Sequence, residues 1–64
     1  MSKSFEISSY FYPESFVLQT IDDFSDVSEM TYENEILSIE GNEEDIDNIF
    51  NEFMNYLTGL INEL

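Results

Sequence analysis

The chain has 64 residues and a formal charge of −14, with fifteen Asp and Glu, a single basic residue at Lys3, and no His or Cys. Nucleophilic, acid–base and phosphoryl-transfer catalysis lack their usual parts, and a disulfide framework or zinc–thiolate site is excluded. A surface this negative repels phosphates and anionic lipid, and it attracts basic grooves, basic peptides and cations over roughly 8 Å at physiological salt.

Strongly acidic chains are disordered when aromatic and β-branched residues are scarce, but six Phe, four Tyr and many Ile and Leu supply a core here. One small domain over residues 1–64 is expected, of modest stability because a chain this short buries only about 60% of its unfolded surface. No apolar run approaches the ~20 residues of a membrane span, and the polar–apolar alternation after Lys3 is not a signal-peptide h-region. A cytoplasmic protein is the expectation.

Residues 4–12 alternate, with Phe5, Ile7 and Phe11 on one side and Glu6, Ser8, Tyr10 and Tyr12 on the other, which predicts a half-buried strand. Pro13 suits the first position of a helix, and Glu14 suits the positive end of its dipole. Phe16, Val17, Thr20, Ile21 and Phe24 then recur at helical spacing, predicting a helix over about 13–24. Residues 25–28 are polar punctuation.

Met30 and Tyr32 share one face of a second strand, and Leu37 and Ile39 share one face of a third. A two-residue turn at Glu33-Asn34 would pair Tyr32 with Glu35, Met30 with Leu37 and Ser28 with Ile39, keeping the apolar residues together. Gly41 ends the hairpin. Asn42 is placed to cap a second helix, with Asp45 three residues on to bond back and Glu43 and Glu44 compensating the dipole. Ile46, Ile49, Phe50, Phe53, Leu57, Leu60, Ile61 and Leu64 form its apolar stripe. Gly59 within it marks either a close contact or a fraying last turn.

The order strand, helix, strand, strand, helix predicts an α+β two-layer sandwich: βαββα, a small three-stranded sheet with both helices on one face. The first two strands should be parallel, with the third antiparallel to its predecessor and open to insertion between them, as in a split βαβ unit. Such a sheet leaves one face and two edges uncovered, so a homodimer through an edge or the open face is a competing arrangement.

No metal or cofactor is expected. Asp45-Ile46-Asp47-Asn48 begins like a calcium loop, but Ile49 and Phe50 stand where an acidic ligand and the obligatory glycine belong. Gly41 and Gly59 stand alone, so there is no phosphate-binding loop. Recognition is the remaining chemistry. Tyr10 and Tyr12, expected on the outer sheet face near Ile36 and Thr31, have the character of interface anchors. Asp22, Asp23 and Asp26, on the outward face at the end of the first helix, and Glu43, Glu44 and Asp47, at the start of the second, are the candidate acidic contacts.

The element order, together with Phe5-Glu6-Ile7, Tyr12-Pro13-Glu14-Ser15, Asp23-Phe24, Glu35-Ile36-Leu37-Ser38-Ile39 and Glu52-Phe53-Met54-Asn55-Tyr56-Leu57, resembles the HxsD-like small proteins. These are associated with radical SAM peptide-maturation systems of the His-Xaa-Ser type. The chain departs from that pattern in carrying no basic residue after Leu57. The resemblance implies a non-catalytic accessory that associates with a maturation enzyme or presents its precursor peptide, an open sheet edge taking an extended peptide as an added strand. It carries over Phe53, Asn55 and Leu57, of which only Asn55 lies off the apolar stripe.

Three functional readings follow from the sequence. The chain is an accessory that binds a basic protein or peptide, an acidic decoy that occupies a nucleic-acid channel without itself binding nucleic acid, or a homodimeric structural subunit.

Overall fold

The computed structural model describes residues 1–63. Leu64, expected on the stripe of the second helix, lies outside them. The chain runs β1 (Ser2–Glu6), α1 (Glu14–Asp23), β2 (Met30–Glu33), β3 (Ile36–Glu40) and α2 (Glu43–Asn62), an α+β fold in the βαββα order expected. The sheet order is β1-β3-β2. Because β3 pairs antiparallel with both neighbours, β1 and β2 are parallel and β3 is inserted between them.

A single core lies on one face of this sheet. Leu37 and Ile39 of β3 are fully buried, and so are Val17 of α1 and Ile46, Phe53 and Leu57 of α2, with Ile7 closing one end. The apolar stripes read from the sequence are therefore the faces that pack. Phe24 meets Phe53 and Tyr56 edge-to-face, with ring centroids 5.7 and 5.6 Å apart. Phe5 stacks on Phe50 at 3.9 Å. The buried Thr20 hydroxyl donates to the Phe16 carbonyl at 2.8 Å, which removes the cost of placing a polar group in this layer.

Several local expectations are corrected. β1 ends at Glu6 rather than running to residue 12. After the last rung, from the Ile7 amide to the Glu35 carbonyl at 2.8 Å, the chain turns back and the Tyr12 amide donates to the Ser8 carbonyl at 2.9 Å. The turn breaks the two-residue alternation and inverts its parity. Phe11, expected inside, is 69% exposed. Tyr12, expected outside, is half-buried against the core. The Ser8-Ser9 pair was the available signal, since serine hydroxyls compete for backbone groups and favour turns; here Ser8 Oγ accepts from the Tyr10 amide.

The hairpin is shifted by two residues from the expected register. Tyr32 pairs with Leu37 and Met30 with Ile39, so two apolar pairs form where the other register offers one. The turn is Asn34-Glu35, both with positive φ (53° and 66°), the combination that a two-residue hairpin of matching twist requires. The Tyr32 hydroxyl, on the inward face, donates to the Ile7 carbonyl at 2.7 Å.

At the helix starts, Pro13 precedes α1 as its cap residue rather than forming its first turn. The Asn42 side chain does not cap α2; its amide nitrogen lies 3.4 Å from Asp45 Oδ2, and its backbone carbonyl accepts from Asp45 and Ile46. Lys3 sits in β1 opposite Ile39 and donates to Asp47 at 3.1 Å, joining β1 to α2.

Of the two settings expected for Gly59, the close contact is not found, and the residue stands in the last turn of α2. A Cβ built there meets nothing within 4 Å. Gly59→Ala should therefore raise unfolding stability by about 1 kcal/mol, measured by urea or thermal unfolding; a loss of stability would contradict this open setting.

Candidate recognition surface

The register dictates what the uncovered side of the sheet presents. Side chains alternate along each strand. Since Leu37 and Ile39 point into the core, Ile36, Ser38 and Glu40 point out, and their partners on the neighbouring strands point out with them. Three rows cross the sheet. Glu6, Ile36 and Glu33 form one end, and Ser4, Ser38 and Thr31 form a belt of hydroxyls in the middle. Ser2 and Glu40 form the other end together with Glu29, whose carbonyl accepts from the Glu40 amide at 2.9 Å. The Ser4 and Ser38 hydroxyls lie 3.3 Å apart. At the Glu29–Glu40 end is a depression of about 470 Å³, lined by Ser2, Glu29, Met30, Thr31, Ser38 and Glu40.

This surface holds four carboxylates and no cation. The lone side-chain cation, Lys3, points to the opposite face and is engaged by Asp47. Glu29 and Glu40 are cross-strand neighbours of like charge, an arrangement that costs stability. The two carboxylate ends are four residues apart along β3, about 13 Å at strand rise.

Both sheet edges are also open. The Gly41 amide donates to the Met1 carbonyl and the Ile7 amide to the Glu35 carbonyl, so the backbone groups of Lys3 and Phe5 between them turn toward β3 and the alternation of an antiparallel ladder turns those of Ser2, Ser4 and Glu6 outward. By the same rule β2 offers the backbone groups of Met30 and Tyr32.

The residues singled out in the sequence are not gathered into one site. Asp22 and Asp23 are at the C-terminal end of α1 and Asp26 is in the turn beyond. Carboxylates there oppose the helix dipole. The Asp23 carboxylate is partly compensated by the Tyr56 hydroxyl, which donates to it at 2.5 Å. Glu43 and Glu44 lie in the first turn of α2, where they complement its dipole. That turn is about 20 Å along the axis from Tyr56. Asp47 is the partner of Lys3. Asn55 is exposed on α2. Tyr10 is 86% exposed but stands on the turn after β1, not on the sheet face, and Tyr12 does not reach that face at all. The sequence reading missed Glu29, Glu33 and Glu40, whose common face is a consequence of register.

Among the described residues, no group of three or more His, Cys, Asp or Glu is placed to hold a metal ion, and no helix is long and apolar enough to cross a membrane. Compared with family models, with curated proteins and with solved structures, the chain matches none.

Two tyrosines have hydroxyls raised above their ordinary value near 10. Tyr32 is raised by burial first, then by Glu35 and Glu14. Tyr56 is raised first by its hydrogen bond to Asp23, then by burial and by the charges of Asp23 and Glu63. In both, the fold holds the proton more tightly than the unfolded chain does, so the stabilisation is complete below pH about 10 and is lost as pH rises through the folded values. Unfolding stability should be level from pH 8 to about 10 and fall above it, and Tyr32→Phe with Tyr56→Phe should flatten that fall. A decline of equal steepness in the double variant would rule this assignment out.

Proposed function

We propose that this chain is a non-catalytic recognition protein that engages a basic protein or peptide across the uncovered sheet face. The observation that carries the reading is the row of unpaired carboxylates at both ends of that face, Glu6 and Glu33 at one and Glu29 and Glu40 at the other, with small hydroxyl side chains between them. The small central side chains leave room for a partner's backbone or aliphatic stems. The carboxylates are spaced for cations about 13 Å apart, which is four residues of an extended segment or about nine of a helix.

The energetics favour the same reading. Like-charge neighbours at Glu29 and Glu40 destabilise the free chain, and a partner's Lys or Arg placed between them would remove the repulsion while forming charge-assisted hydrogen bonds. Sites that break local rules of stability are where function is to be sought. The resemblance to HxsD-like accessory proteins supports the same class of role, in which the partner is a peptide-modifying enzyme or its precursor peptide. An extended peptide could add to the β1 or β2 edge and lay its side chains on the same face.

The test compares two changes of equal net charge. Glu29→Gln with Glu40→Gln should weaken binding of oligolysine, measured by calorimetry at about 0.15 M salt, by about tenfold, and each wild-type contact should be salt-sensitive. Glu43→Gln with Glu44→Gln should leave it within about twofold. Equal losses in the two pairs would mean that total charge, not this face, is recognised. The same Glu29/Glu40 pair should raise the free chain's stability by about 0.2–1 kcal/mol. Displacement of DNA from a basic protein by the wild-type chain would instead favour the decoy role.

A further inference from the structure

Tyr10 and Phe11 are the two most exposed large apolar side chains, at 86% and 69%. They are not loose. Their rings meet edge-to-face with centroids 5.0 Å apart, and the turn that carries them is tied at several points. The Ile7 amide donates to the Glu35 carbonyl at 2.8 Å and the Tyr12 amide to the Ser8 carbonyl at 2.9 Å. The Ser9 amide donates to Glu35 Oε2 at 2.7 Å, and the Ser9 hydroxyl lies 3.3 Å from the same oxygen.

Glu35 has a positive φ of 66°. Glycine is the residue that takes this position in a hairpin turn without strain. Glycine would also leave the Ser9 amide without its carboxylate. The side chain that strains the hairpin is thus the one that holds the aromatic turn.

Resting on the reading that the chain binds a basic partner, we infer that Tyr10 and Phe11 are a preorganised apolar anchor for a cationic amphipathic segment, with Glu35 as the residue that positions it. The anchor adjoins one carboxylate end of the sheet face. Glu6, Ile36 and Glu33 form the last row of the sheet, the rung from Ile7 to Glu35 follows, and the aromatic turn leaves from there. A segment with cations on Glu6 and Glu33 would bring neighbouring apolar side chains onto the two rings. Held aromatics lose little conformational entropy on binding, which makes them effective anchors. A second copy of a chain carrying fourteen net negative charges is repelled, and anionic lipid is repelled in the same way. The charge complement of this surface is a basic segment.

The experiment measures binding of two probes, an amphipathic Lys/Leu peptide and an oligolysine of equal charge, at about 0.15 and 0.5 M salt. The wild-type chain should prefer the amphipathic peptide by about thirtyfold, as two anchoring aromatics predict, and should keep most of that preference at the higher salt. Tyr10→Ser with Phe11→Ser should abolish the preference while leaving oligolysine binding unchanged. If neither peptide binds, the basic-partner reading itself is overturned. If oligolysine binds but the preference is absent, or survives in the double variant, the anchor alone is overturned. Dimerisation of the free chain, or binding to phosphatidylcholine vesicles, that the double variant removes would overturn it in favour of a second copy or a bilayer. For Glu35, the Glu35→Gly variant should melt no lower than wild type yet lose most of the preference, and Glu35→Gln, whose amide oxygen still accepts from Ser9, should keep it. Full preference in Glu35→Gly would overturn the positioning role.

Discussion

The fold depends on β3. Leu37 and Ile39 are its only fully buried side chains, yet both flanking strands pair with it and both helices close over the layer those two residues begin. A domain of this size has little apolar area to spare, and here burial must also overcome mutual repulsion among fifteen carboxylates. The acids are tolerated because the core is wholly on one side of the sheet. Every carboxylate stays in water, and among the described residues no buried side-chain polar atom lacks a partner.

That one-sidedness also leaves the other face of the sheet to solvent. A sheet covered on one face must present its other residues to solvent, and alternation along three strands in register turns a scattered set of Ser, Thr and Glu into ordered rows. The charge is therefore patterned rather than diffuse. Lys3 reinforces the pattern by its placement. Its ammonium group reaches toward α2 and Asp47, on the covered side, so the open face remains uniformly acidic. An exposed pair of this kind adds little stability; its consequence is for where the positive charge is absent.

Local strain and exposed aromatics belong to the same scheme. The hairpin accepts Glu35 at positive φ, and the carboxylate so placed holds the Ser9 amide and with it the turn bearing Tyr10 and Phe11. Like-charge neighbours at Glu29 and Glu40 and carboxylates at the negative end of α1 add further cost. Each lowers the stability of the free chain.

Much of this architecture was legible from side-chain periodicity. The apolar stripes of α1 and α2, the inward pairs of β2 and β3, and the βαββα order are statements about spacings of two, three and four residues, and those spacings hold whatever the chain packs against. What spacing cannot carry is where a strand stops and which residue faces which. β1 is held as far as the Ile7 amide and the Glu35 carbonyl, twenty-eight residues away in sequence, and the turn that follows, closed from the Tyr12 amide to the Ser8 carbonyl, reversed the expected positions of Phe11 and Tyr12. The two-residue shift of the hairpin likewise preserved every face while changing every partner. Composition by itself determined the sign of the surface; only the tertiary structure decided which carboxylates share a face, because that grouping arises from hydrogen-bond register between strands distant in sequence and not from the order of residues along any one of them.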